Sequence, residues 1–183
     1  MKRNDWKILK IMSEKAFRKA VVNYENCWGF QEQKNTKWNE GLNITEIKEL
    51  EEYFGFNLPN DYIDMLKILN GFDTHHISIS PNGVEENEFE RRCYKYPEDL
   101  KNTKWLIKDA NNYIENAKKA LDTNGFSNYE IEGFIPLYQH RALVVLKDKA
   151  KSPVLSIWGS DIIVYGNTLF EYWCNEFYLP YEK

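Results

Sequence analysis

The sequence predicts an α+β domain: a largely antiparallel sheet of about four to six strands flanked by helices, with an extra helix at the N-terminus. Three observations carry this. The first two-thirds of the chain is divided into amphipathic segments by capping residues and glycines. The last third changes period, into four short apolar runs at residues 133–137, 142–146, 153–158 and 161–165. The connections between those runs are too short for helical crossovers, so the runs must fold back on one another as antiparallel hairpins.

Taken in order, residues 5 to about 26 repeat apolar side chains at three- and four-residue steps: Leu9, Met12, Ala16, Ala20 and Tyr24, joined by Trp6, Phe17 and Val21. Asn4 or Asp5 can cap this helix. Its other face is charged (Lys7, Lys10, Glu14, Arg18, Lys19), as in a helix docked on its own domain. The basic, then apolar opening is unlike a secretory leader, because Lys7, Lys10, Glu14 and Lys15 interrupt it early. Residues 31–37, QEQKNTK, are polar and patternless and read as a connector, with Trp28 and Trp38 pinning its ends. Residues 1–38 are thus expected to be a helix and linker packed on a body formed by 39–183.

The body opens with a helical hairpin. Ile44, Ile47, Leu50 and Phe54 make one stripe, Asn43 and Glu46 have capping-box spacing with Thr45 as a rival cap, and Gly55 ends the helix. Leu58-Pro59 forces an extended entry into a second helix with Tyr62, Met65, Leu66 and Leu69 on one face, closed by Asn70-Gly71. Glu46, Glu49, Glu51, Glu52, Asp61 and Asp64 make the hairpin acidic outside. Residues 76–80, HISIS, alternate like a short strand, and Pro81-Asn82-Gly83 turns the chain into an acidic loop, VEENEFE. A single long helix is expected over about 101–122, ended by Asn124-Gly125. After the four apolar runs, Thr168 and Glu171 have capping-box spacing and open a last helix with Leu169, Tyr172, Trp173 and Phe177 inward.

Composition excludes several classes. The chain has 183 residues, 43% of them hydrophobic and 15% aromatic, enough for a core without staples and unlike a disordered or coiled-coil chain. The net charge of −4 and a scarcity of Arg disfavour a nucleic-acid binder. Cys27, Cys93 and Cys174 are too few and too scattered for a disulfide framework or a zinc site, and suit a reducing cytosol. No run approaches the length of a membrane span.

Nor does any pattern carry catalysis. His75 and His76 are adjacent, so in a strand they would face opposite ways and could not share a metal. His140-Arg141 fall between two runs, where a loop could present them, but no nucleophile or orienting partner accompanies them. Asp99, Asp109 and Asp161 are isolated carboxylates. Lys147, Lys149 and Lys151 make a basic turn that would blunt neighbouring strand edges.

Two blocks of residues carry a resemblance. One is the hairpin: Ile44, Ile47, Glu51, Leu58, Pro59, Tyr62, Leu66, Asn70 and Gly71. The other is the tail: Ile135, Pro136, His140, Arg141, Pro153, Val154, Ser156, Ile157, Asp161, Ile162, Ile163, Tyr165, Gly166, Leu169, Tyr172 and Phe177. In order and spacing these blocks resemble the SUKH superfamily, the Smi/Knr-type domain. Ala142 stands where the family pattern has a tyrosine, residues 72–130 match only through the segment from Tyr96 to Leu100, and residues 1–38 lie outside it.

The resemblance implies an α+β domain with a mixed sheet, no catalytic residues, no metal and no cofactor. It implies a bacterial, cytoplasmic immunity protein that neutralises a cognate toxin, in this family often a nuclease, by direct binding. The alternative is a regulatory scaffold of the Smi/Knr type with a host protein as partner. The expected partner is a protein, with neither nucleic acid nor membrane involved, and the oligomeric state is open. The residues expected to meet the partner are Glu85, Glu86, Glu88 and Glu90, with His140, Arg141 and Asp161. The competing reading for the last three is a buried Arg–Asp pair holding two loops together. Ile162, Ile163 and Tyr165 are expected in the core or sheet.

Overall fold

The four apolar runs of the last third form the centre about which the other elements are arranged. The computed structural model describes residues 5–25, 29–75, 77–79, 85–86, 93–127, 129–147 and 152–180. In chain order the elements are α1 (Trp6–Phe17), β1 (Gly29–Gln31), α2 (Ile44–Phe54), α3 (Asn60–Leu66), β2 (Ile77–Ile79), β3 (Glu85–Glu86), α4 (Lys104–Asn112), α5 (Ile114–Thr123), β4 (Ile131–Tyr138), β5 (Arg141–Leu146), β6 (Val154–Trp158), β7 (Asp161–Gly166) and α6 (Leu169–Glu176).

Strands β4 to β7 make a four-stranded meander, and β1 to β3 a separate three-stranded sheet. Every described pairing is antiparallel, so the mixed sheet implied by the resemblance is not the one formed. The meander is tied by two-residue turns at one end. Gln139-His140 links β4 to β5 and Gly159-Ser160 links β6 to β7, each with its first residue at positive φ (Gln139 52°, Gly159 55°).

Each face of the meander packs on a core, because its side chains alternate between two cores. Ile135, Leu137, Leu143, Val145 and Val154 point into a large aromatic core with α1, α2, α3 and α6. Phe134, Ala142, Val144, Leu146, Leu155, Ile157 and Ile162 point into a smaller core under α4 and α5. The apolar runs are continuous rather than alternating for this reason.

The hairpin forms as its punctuation dictates. Asn43 Oδ1 accepts from the Thr45 and Glu46 amides, and Glu46 accepts from the Asn43 amide, which completes the capping box. Gly55 closes α2 in the left-handed conformation. Gly71 is required twice over: its φ is +65°, and a Cβ there would lie 2.5 Å from the backbone of Tyr94 and Lys95. The Asn70 side chain clasps the Tyr96 backbone from both sides, donating to its carbonyl at 2.7 Å and accepting from its amide at 2.9 Å.

α1 reaches the body through rings. Trp6 meets Phe170 at 4.9 Å, Phe17 meets Phe72 and Phe177 at 5.3 Å, and Trp38 Nε1 donates to Ser13 Oγ at 2.9 Å. The connector is no loose tether: Gln31 belongs to β1, and Thr36, fully buried, bonds Thr74 at 2.8 Å.

Two helices differ from expectation. α1 stops at Phe17, where helix was predicted to about 26; Val21-Val22-Asn23 are poor helix formers, and Val21 is left exposed. The long helix over 101–122 breaks into α4 and α5 at Tyr113, just after Asn111-Asn112, whose side chains compete with the helical backbone. The acidic loop also departs, since Glu85 and Glu86 pair with β2 as a short strand.

Candidate partner-binding site

The strand phases decide what the end of the meander presents. Arg141 on β5 lies opposite Ser156 on β6, and Ser156 lies opposite Ile163 on β7. Residues directly opposite share a face, so these three form a row across the sheet. Trp158 lies opposite Asp161 one step nearer the turns, and Tyr165 lies one step farther along β7 on the same side. Tyr165 touches Tyr172 of α6 at 6.1 Å, which identifies the face as that of the large core. α6 therefore covers this face only in part. Trp158 is 68% exposed, Ile163 52% and Tyr165 39%.

Arg141 organises the row. Its guanidinium lies 4.1 Å from the centre of the Tyr165 ring, close enough for a cation–π contact, and its Nη1 donates to Ser156 Oγ at 3.1 Å and contacts His140 Nε2. Its Nε is buried without a hydrogen-bond partner. The His140 ring meets the Trp158 ring edge-on at 5.5 Å. The result is an aromatic and aliphatic platform with an embedded Arg at the tip of two hairpins. That composition is enriched at protein interfaces.

Of the sequence-predicted residues, His140 and Arg141 touch, and Asp161 lies at the same end of the meander, opposite Trp158. The buried Arg–Asp pair does not form. Asp161 is exposed at the β6–β7 turn, and Arg141 is held by Tyr165 and Ser156 instead. Glu85 and Glu86 lie on the other sheet, and Glu88 and Glu90 lie outside the described residues, as do His76 and Cys27. Trp158, Ile163 and Tyr165 were not singled out as contact residues. Ile163 and Tyr165, expected in the core or sheet, lie on β7 but face solvent in part. The available signal was their alternation on a terminal strand, where Ile162 and Val164 alone pack towards α5.

The remaining polar candidates serve the fold. Asp99 Oδ2 accepts from the Lys95 amide at 2.7 Å, Glu51 accepts from the Leu58 amide at 3.0 Å, and Lys147 pairs with Glu130 at 2.9 Å. Glu49, Glu52 and Asp64 stay exposed on the hairpin. Cys93 and Cys174 are buried and unbonded to each other, and burial pushes the Cys174 thiol up to about 11. Among the described residues no cluster of three or more His, Cys, Asp or Glu could hold a metal, and no helix is long and apolar enough to cross a membrane.

Residues 41–172 match the model of the SMI1 / KNR4 family (SUKH-1). No curated protein matches the chain.

Proposed function

The chain belongs to the SMI1 / KNR4 family (SUKH-1), and from that premise we propose that it is a non-catalytic, cytoplasmic binding domain, an immunity protein that neutralises a cognate bacterial toxin by direct contact. The observation that carries this reading is the platform at the meander tip. A 68% exposed Trp158 stands against His140, with Arg141, Ile163 and Tyr165 beside it. Large exposed aromatics next to an Arg supply the energy of most protein interfaces, because they bury much area at little cost in side-chain entropy. Trp158 and His140 are the anchors in this proposal.

Charge adds the approach. The net charge is −4, and Glu49, Glu52 and Asp64 are exposed on the hairpin, with Glu85, Glu86, Glu88 and Glu90 proposed as a second acidic edge. A basic toxin, such as one that acts on nucleic acid, would be steered towards this surface at low ionic strength.

The test is co-expression with the product of an adjacent toxin-like gene. Rescue of growth together with a complex that survives size-exclusion chromatography is the expected result. A complex with a host protein, and no rescue by this chain, would favour a regulatory scaffold and overturn the immunity reading.

A further inference from the structure

The two edges of the meander are finished differently. Along β4, Cys93 bridges to Tyr138 and the Tyr94 amide donates to the Leu137 carbonyl at 3.2 Å, so that edge is partly occupied. β7 is the last strand in the order β4-β5-β6-β7, and no described strand pairs with its far side. The phase of its backbone follows from one bond. The Ile157 amide donates to the His140 carbonyl at 2.8 Å, so Ile157 faces β5 and its neighbours Ser156 and Trp158 face β7. Their opposites, Ile163 and Asp161, face back to β6. The N–H and C=O groups of Ile162 and Val164 therefore point outward, on a strand, DIIVYG, with no Lys, no Pro and an exposed Ile at its middle, guarded only by Asp161 at its start and by a register irregularity between Val164 and Gly166 at its end. Native edges usually carry more, such as Lys or Pro along the strand.

We propose that this edge pairs with a second copy of the chain: β7 against β7, antiparallel, with the two-fold axis at Ile163, joining the two meanders into one continuous sheet. In that register Ile162 of one copy exchanges hydrogen bonds with Val164 of the other, and the two Ile163 side chains meet at a close, non-hydrogen-bonded pair. Charge selects the register. Asp161, exposed and without an ion pair among the described residues, falls opposite Tyr165 of the second copy, the ring on which Arg141 lies at 4.1 Å. Each copy thus offers a carboxylate where the other offers a guanidinium, as an isologous interface requires. On the opposite face a groove of about 500 Å³ runs between β7 and α5, floored by Ile162 and Val164 and flanked by Ala120 and Thr123, leaving room for the second strand's side chains. The pairing takes up Ile163 and Tyr165 of the platform and leaves Trp158, on β6, and His140, at the β4–β5 turn, outside it, so it goes beyond the partner-binding reading and does not depend on it.

The test is sedimentation equilibrium of the full chain at roughly 200 µM, because a short strand interface belongs in the micromolar range. The expected mass approaches twice the 21.8 kDa of one chain. Two variants isolate the edge. Ile163→Lys places like charges face to face at the axis, on a residue already exposed. Val164→Pro removes an outward N–H that β6 does not use, a position where an edge strand accepts proline. Both should return the mass to that of one chain while keeping the wild-type circular dichroism spectrum. A wild-type chain that remains at 21.8 kDa, or a dimer that persists in either folded variant, overturns the proposal.

Discussion

One face of the meander is two surfaces. At its β4–β5 side, Ile135, Leu137, Leu143 and Val145 are at most 3% exposed beneath a shell of rings from Trp38, Phe72, Trp173 and Phe177. At its β6–β7 end the same face carries Trp158, Ile163 and Tyr165 in the open. The residue chemistry is alike in both places, so the difference lies in coverage. The helices and rings seal one half, and over β6 and β7 they cover Val154 and part of Tyr165 but leave Trp158 and Ile163 exposed. Packing is concentrated in the sealed half, and the open half is the surface that the proposed function uses.

Substitution on the sealed side is the harshest way to break this comparison. Leu143→Ala should lower unfolding free energy by about 2–5 kcal/mol, read by urea denaturation, because a fully buried side chain leaves a cavity between strand and helices. The equivalent change on the open side, Ile163→Ala, read at submicromolar concentration where the chain is a single copy, should stay within about 0.5 kcal/mol. Equal losses at the two sites would mean that the open end is packed in solution.

A cap gives a smaller effect. Asn43→Ala removes the acceptor for two amides of α2 and should cost about 1 kcal/mol in the same assay.

The sealed half also carries the pH dependence. Burial raises the Tyr62 and Tyr96 phenols well above 10, with Cys93 close to Tyr62 and with Tyr62 and Tyr94 close to Tyr96, and it raises the Cys174 thiol from 9.0 to about 11. Each group is neutral when protonated and loses its proton more easily in the unfolded chain. The folded state therefore binds more protons at high pH, so stability falls as pH rises past about 9 for the thiol and past about 10 for the phenols. Below pH 9 their contribution is intact. Melting temperatures from pH 7 to 11 should show the decline, and Cys174→Ala should remove its earliest part.

Much of the frame was legible in the sequence because local rules and tertiary contacts agree there. The four apolar runs are the four strands within two residues at each end, and Asn43, Gly55, Gly71 and Thr168 act as the caps and stops that their chemistry demands. What stayed hidden depends on coverage, which spacing does not encode. The stripe through Ala20 and Tyr24 continues after α1 has ended, and Ile44 matches the α2 stripe yet is exposed. β1 is three residues long and exists only through pairing with β2. At the site, His140, Arg141 and Asp161 could be chosen from the sequence, but their arrangement could not. Trp158 reads as the end of a core strand, and only the position of β7 at the sheet edge, where α6 reaches Tyr165 through Tyr172 but leaves Trp158 and Ile163 exposed, opens the face.

The most direct test of the open half as a recognition surface is Trp158→Ala, measured on one sample by thermal melting and by calorimetric titration with the toxin that the proposed function names as partner. The account predicts a melting temperature close to wild type and a loss of about 2 kcal/mol or more in binding, roughly thirtyfold in Kd. Unchanged affinity in a folded Trp158→Ala protein would contradict it.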